Sequence, residues 1–214
     1  MTATDTKPDV AVDAAPAAAP ISPLMGNPGT IGLPTAIAGA TGLVIVNAGW
    51  LPTGSASATL AILMGCTVIG LLIATVWAAA LAQNVSASIF GAFCGFYASY
   101  TAMVIGLGHN WFGPTPLGDT AAVRTWLICW IVTFTVMTLV TLRLPFANTF
   151  ILAAVVVALV LLLAGTIAES SGLIKAGAAA VFVFDATAVY LYADAMIRET
   201  GGRGLPMGRP IQHA

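Results

Sequence analysis

Six long apolar segments constrain the fold of this chain more than any other feature. They run over residues 31–50, 57–81, 87–107, 124–142, 146–166 and 173–196. Each is close to the roughly 20 mostly apolar residues that a helix needs to span a bilayer. Only 7% of the residues are charged, whereas soluble domains carry about 25%. The sequence therefore predicts an all-α integral membrane protein with six transmembrane helices, embedded in the lipid bilayer.

The remaining sequence divides the chain into three parts. Residues 1–25 are rich in Ala and Pro, which predicts a disordered tail. The six-helix transmembrane domain is predicted to span residues 26–198, and a C-terminal tail to span residues 199–214. Six spans place both tails on the same side of the membrane. That side carries most of the Lys and Arg residues, which predicts cytoplasmic termini in a plasma-membrane protein. Its cations are Lys7, Arg143, Arg198, Arg203 and Arg209, against Arg124 and Lys175 on the other side.

Several classes of function are not supported by the sequence. The formal net charge of −1 offers no basic surface for nucleic acid. No nucleotide-binding or hydrolase motif occurs, and the three cysteines lie in apolar segments without metal-ligand spacing. We therefore expect no enzyme activity, no metal and no cofactor, and the passage of a solute across the membrane is the default interpretation.

The third apolar segment carries a stripe of aromatic residues. Phe93, Phe96, Tyr97 and Tyr100 recur at helical spacing and so share one face of a helix. Two interpretations stay open at this point. The stripe either faces lipid, or it lines a narrow pathway that restricts passage by size and dewetting.

Asp185 lies near the middle of the sixth segment. A charge at the bilayer centre costs at least about 2.5–3.5 kcal/mol, so we expect this carboxyl to be protonated or to have a partner. Thr187, Tyr190 or a polar group on another helix would be within reach. Asp185 is therefore a candidate proton-linked residue, and the alternative is a hydrogen-bonded packing residue at a subunit contact.

The turn before the first segment, GNPGTIGLPT at residues 26–35, is unusually rich in Gly and Pro. Asn27 is predicted to cap the helix, and Pro28 suits the first helical position because it needs no hydrogen bond there. Free N–H groups and the dipole at a helix start also favour a carboxylate. A purely structural helix start remains the alternative.

Four groups of residues, in chain order, resemble one known family. They are NPGTIGL at 27–33, similar to a family signature NPAPLGL; Phe90, Phe93, Phe96 and Tyr97; Thr141-Leu142-Arg143; and Ala188-Val189-Tyr190-Leu191 followed by Glu199, Gly202-Arg203 and Leu205-Pro206-x-Gly208. The family is that of the acetate uptake transporters, the SatP/YaaH type. The resemblance extends from residue 26 to residue 208.

This resemblance implies a six-helix bundle protomer in a ring-shaped homo-hexamer, with one pathway in each protomer. It also implies passage of acetate and, in some members, of the dicarboxylate succinate or of other small monocarboxylates, often with a proton. By position, Ala36, Phe93 and Val155 would form the constriction, and Asn27, Thr30 and Tyr97 would lie along the pathway. Thr75 and Asp185 depart from the family pattern, which leaves the substrate open.

Two rival functions stay open beside a carboxylate transporter or channel. A pore for a small neutral solute, such as ammonia, urea or acetic acid itself, fits the lack of a cation at mid-span. A non-transporting membrane scaffold or sensor is the other rival, although the short loops resemble no signalling domain.

Overall fold

The computed structural model describes residues 25–51, 56–113 and 120–212. Within these ranges it has six helices that are long and apolar enough to cross a membrane. They are α1 (Gly29–Ala48), α2 (Ala56–Ala80), α3 (Asn84–Gly108), α4 (Thr120–Arg143), α5 (Phe146–Ile167) and α6 (Ser171–Glu199). The predicted six-span, all-α architecture is confirmed, and the helix ends differ by a few residues from the apolar segments. The predicted disordered tail lies outside the described residues, apart from Met25.

The helix ends follow from local residue chemistry. Gly49 takes the left-handed conformation, φ +69°, which closes α1 because its N–H turns back to the Val46 carbonyl. Pro145 cannot continue a helix from α4, so α4 finishes in a 3-10 turn over Thr141–Arg143 and α5 begins at Phe146. Ser170 caps α6, its Oγ accepting a hydrogen bond from the Leu173 N–H at 3.4 Å.

Small residues and threonines join α1 to α2. A Cβ added to Gly39 would come within 2.6 Å of Thr67 Oγ1, so only Gly permits this approach. Thr67 Oγ1 donates to the Thr35 carbonyl at 2.9 Å across the same contact. Close packing through small residues is how helices associate in lipid. In α2, residues Leu63–Thr67 form a π-helical turn directly at this contact.

The segment after α6, which we call the C-terminal strap (residues 202–212), is not helical. It packs back onto the ends of three helices, α4, α5 and α6, on the side of the bundle where the termini lie, through hydrogen bonds at its backbone. These bonds are Leu205 N–H to Asp194 Oδ1 (2.6 Å), Tyr190 Oη–H to the Pro206 carbonyl (2.7 Å), Ala147 N–H to the Met207 carbonyl (3.0 Å) and Ile211 N–H to the Leu142 carbonyl (3.1 Å).

Asp194 anchors the strap and was not singled out from the sequence. It is buried in α6, and its second oxygen, Oδ2, accepts a hydrogen bond from Arg198 Nε at 2.9 Å. The i,i+4 spacing of Asp194 and Arg198 is the sequence signal for this pair. The C-terminal residues are therefore a docked part of the transmembrane unit at least as far as Gln212.

Candidate functional site

A cavity of about 500 Å³ opens inside the bundle, with walls from α1, α3, α4, α5 and α6. Its lining comes from the late residues of α1, α3 and α5 and from the early residues of α4 and α6. Because successive spans run in opposite directions, these parts meet at the end of the bundle that lies away from the termini. The lining residues include Leu43, Asn47, Phe93, Tyr97, Tyr100, Trp126, Val155, Thr166 and Phe184.

The floor of the cavity is aromatic. Phe93 is the lining residue nearest the start of α3, and its side chain is buried. Its ring centroid lies 4.7 Å from that of Phe134, 5.4 Å from that of Phe184 and 6.3 Å from that of Tyr97. The predicted stripe therefore faces the interior of the bundle and closes the cavity toward the side of the termini.

The side wall is built by aromatic contacts between α3 and α4. The ring centroid of Phe96 lies 4.8 Å from that of Trp126, which packs in turn 5.4 Å from Tyr100. Trp126 Nε1–H donates to Ser99 Oγ at 2.9 Å, and Trp130 Nε1–H reaches the same oxygen at 3.2 Å. These hydrogen bonds fix both indoles, so the wall keeps its shape.

The contribution of α4 and of Phe184 to the cavity was not predicted from the sequence. Trp126, Trp130 and Phe134 recur every four residues and so share one helix face, which was the available signal. A hydropathy pattern cannot tell whether such a face contacts lipid or protein, because both surroundings are apolar.

The three residues predicted for the constriction are only partly brought together. Val155 lines the cavity with Phe93, whereas Ala36 is buried in the same core but does not line the cavity. The α1 residue at the floor is Leu43. Ala36 precedes it by two helical turns, which is about 10 Å of helix. Ala36 therefore lies below the floor, toward the start of α1.

The turn before α1 has the predicted capping geometry. Asn27 Oδ1 accepts a hydrogen bond from the Gly29 N–H at 2.9 Å. The Asn27 carbonyl accepts two more, from the Thr30 N–H at 3.0 Å and from Thr30 Oγ1–H at 2.7 Å. Pro28 already has helical angles, φ −56° and ψ −23°. Asn27 and Thr30 thus hold the helix start together, at the opposite end of the bundle from the cavity.

Asp185 is buried and is partnered by another helix. Thr41 Oγ1–H of α1 donates to Asp185 Oδ2 at 2.7 Å, while the buried Oδ1 has no hydrogen-bond partner among the described residues. Of the partners considered from the sequence, a polar group on another helix is confirmed, whereas Thr187 and Tyr190 are wrong. Thr187 donates to the Val183 carbonyl at 2.8 Å, and Tyr190 donates to the strap at Pro206.

Asp185 also lies close to the cavity. Its neighbour Phe184 lines the floor, where its ring centroid lies 5.4 Å from that of Phe93. A buried carboxyl with one unpaired oxygen is costly to keep. Asp185 is therefore a candidate proton-binding residue next to the residues that line the cavity.

Comparisons with known proteins agree with this architecture. The sequence pattern of the GPR1/FUN34/yaaH family matches residues 11–201. A solved structure of the bacterial acetate channel SatP superposes with a TM-score of 0.76 at 20% sequence identity, covering 86% of this chain and 99% of that chain. No curated protein sequence matches this chain.

At that identity the structural likeness shows a shared fold, and the family match covers nearly the whole transmembrane region. The resemblance inferred from the sequence motifs is confirmed. Six apolar spanning helices and this fold make the chain a multi-pass membrane protein, and it belongs to the GPR1/FUN34/yaaH family.

Proposed function

We propose that this protein is a channel-like transporter for acetate and related small monocarboxylates. The observation that carries the proposal is the aromatic-floored cavity, which is built within a single protomer by five of the six spans. Family membership and the fold of the acetate channel SatP support the same substrate class. Succinate is a candidate second substrate.

The cavity chemistry suits a small acid with an apolar tail. Its walls are mostly aliphatic and aromatic, which fits a methyl group. The polar groups among the lining residues are few. The side chains of Asn47, Tyr97 and Tyr100 can donate hydrogen bonds to a carboxylate, whereas the Thr166 hydroxyl already donates to the Leu162 carbonyl at 2.8 Å. The cavity is far larger than acetate, so size selection belongs at its floor rather than in its walls.

The gate in this proposal is the floor formed by Phe93, Val155 and Phe184. Ala36 lies on α1 below it, in the stretch that a solute would traverse next. The Asn27 and Thr30 turn at the start of α1 would form the inner mouth. The N–H groups of Gly29, Thr30 and Ile31 are bonded within this turn, so the helix dipole rather than free donors would favour a carboxylate leaving toward the cytoplasm.

Proton coupling through Asp185 is part of the proposal. A protonated Asp185 beside the floor can exchange its proton with a passing carboxylate, whereas a fixed anion there would repel one. Thr41 would keep the carboxyl oriented in either state. Without this exchange, protons would travel only as the substrate acid itself.

We further propose that the protomers form a ring-shaped homo-hexamer in the plasma membrane with both termini in the cytoplasm. Many apolar side chains on the outer surface are exposed in the single protomer, including Ile73, Val132 and Val157. Such surfaces contact either lipid or neighbouring protomers. The cavity would then open to the outside of the cell.

A pore for a neutral solute is the second candidate function, because the residues that line the cavity carry no charge. Uptake of radiolabelled acetate, succinate, urea and methylammonium into proteoliposomes, with and without a proton gradient, separates the candidates. We expect saturable acetate uptake above that of protein-free liposomes, increased by the gradient. Faster uptake of urea or methylammonium would favour the neutral pore, and no uptake of any solute would favour a scaffold or sensor.

Asn27→Ala is expected to lower acetate uptake several-fold while the protein still assembles. Loss of a helix cap costs about 0.5–2 kcal/mol, which is small for a six-helix bundle, but it loosens the proposed inner mouth. Ser170→Ala is the matched control because it removes the cap of α6 at the other end of the bundle. If Asn27→Ala and Ser170→Ala take up acetate equally well, Asn27 is only a structural helix cap and has no role at the proposed mouth.

A further inference from the structure

Arg124 lies at the mouth of the cavity, on the first turns of α4. Its neighbours Val123, Trp126 and Leu127 line the cavity. Arg124 itself does not line it, but Nη2–H donates to the Thr166 carbonyl at 3.1 Å, and Thr166 is a lining residue on α5. The guanidinium is therefore held beside the rim at a fixed point.

The bonding of Arg124 is incomplete. A guanidinium has five N–H donors, and the Thr166 bond uses one of them. Arg124 Nε is buried and has no hydrogen-bond partner among the described residues. A buried donor without a partner is costly, so the arrangement stabilises the protein less than a fully bonded arginine would.

Arg124 also forms no ion pair with an acidic side chain of the described residues. The ion pair found among those residues joins Asp194 and Arg198 at the opposite end of the bundle. Low-dielectric walls around a cleft focus the field of a nearby charge and raise the local concentration of counter-ions. The apolar walls of this cavity provide that condition.

We propose that Arg124 is the residue that recruits the carboxylate anion to the cavity mouth and so selects anions over neutral solutes. This inference rests on the carboxylate transport proposed above. Arg124 acts through its field at the rim, before the substrate reaches the aromatic floor. Thr166 positions the guanidinium for this role.

A purely structural role would make a different prediction. Arg124 near the end of α5 can serve as a cap for the Thr166 carbonyl, as cations often do at helix C-termini. Loss of such a cap would lower the amount of folded protein or the maximal rate. Loss of a recruiting charge raises the substrate concentration needed for half-maximal uptake.

The test compares acetate uptake by wild type, Arg124→Gln and Arg124→Lys in proteoliposomes at low and high ionic strength. Lys175→Gln is the matched control, because Lys175 is an exposed cation at the same end of the bundle that, among the described residues, makes no hydrogen bond to a residue lining the cavity, whereas Arg124 binds Thr166. We expect Arg124→Gln to raise KM about tenfold, the lower end of the range for charged clefts, with little change in kcat. Salt should reduce the difference, and Arg124→Lys and Lys175→Gln should stay near wild type.

Each other outcome overturns the inference in a recognisable way. An unchanged KM in Arg124→Gln, or an equal rise in Lys175→Gln, removes the specific role of Arg124 while acetate transport stands. A lower kcat or a loss of folded protein at unchanged KM assigns Arg124 to the α5 cap. A wild-type protein that moves no acetate removes the proposed function, and this inference with it.

Discussion

Replacing Phe93 with Ala is expected to let the protein pass larger carboxylates than the wild type does. The Phe93 ring packs against Phe134, Phe184 and Tyr97 and closes the floor of the cavity. Removing the ring would open the proposed gate. Because one methylene in an apolar pocket is worth about 10–200-fold in selectivity, butyrate uptake relative to acetate should rise about tenfold or more. Phe93→Trp should instead reduce acetate uptake.

Two further variants separate gating from stability. A buried Phe→Ala change costs about 3–5 kcal/mol, so Phe93→Leu is included as a milder truncation that should shift selectivity in the same direction. Phe150→Ala removes the same ring from an exposed position on the outer face of α5 and should leave selectivity unchanged. If Phe93→Ala and Phe93→Trp both keep the wild-type size cut-off in folded protein, the gate lies elsewhere.

Asp185→Asn is expected to preserve folding and acetate entry but to flatten the dependence of uptake on pH. The amide retains an oxygen that can accept the Thr41 hydrogen bond. However, it cannot bind and release a proton over the pH range of the uptake measurement. Asp185→Leu should lose more activity, because it also leaves the Thr41 hydroxyl without its acceptor. The measurement is initial acetate uptake against pH in matched vesicles for wild type and both variants.

Asp194→Asn is the control for this prediction. Asp194 is the other buried carboxyl of α6, but it binds the C-terminal strap and Arg198 and lies at the end of the bundle opposite the cavity. Its substitution should keep the wild-type shape of the pH profile even if the protein becomes less stable. Superimposable profiles for wild type and Asp185→Asn would assign Asp185 to packing, and protons would then move only with the substrate.

The spans were predictable from sequence because a bilayer leaves a chain few choices. Every backbone polar group must be satisfied within the span, so an apolar segment of sufficient length forms a helix. The Asn27 cap was predictable for a similar reason, since its hydrogen bonds lie within three residues of the chain. Local chemistry of this kind can be read directly from the sequence.

The packing partners were not predictable in the same way. Thr41 and Asp185 are 144 residues apart in the chain, and no local pattern connects them. The Tyr190 hydroxyl donates its hydrogen bond to the Pro206 carbonyl of the strap. This contact depends on where the backbone of the strap places that carbonyl. Leu43 and Phe184 reach the floor because of how α1 and α6 are shifted and rotated against their neighbouring helices. These positions depend on the close approach of small residues across several helices at once.

The most direct test of the account asks whether the cavity is the route of the substrate. In a protein whose native cysteines are replaced by Ala, Met103→Cys places one thiol on the cavity wall. A bulky, charged methanethiosulfonate reagent should then attach there and block acetate uptake, acetate should slow the labelling, and the cysteine-free protein should be unaffected. Complete labelling of Met103→Cys with undiminished acetate uptake would contradict the account, because the substrate would then cross the membrane by another path.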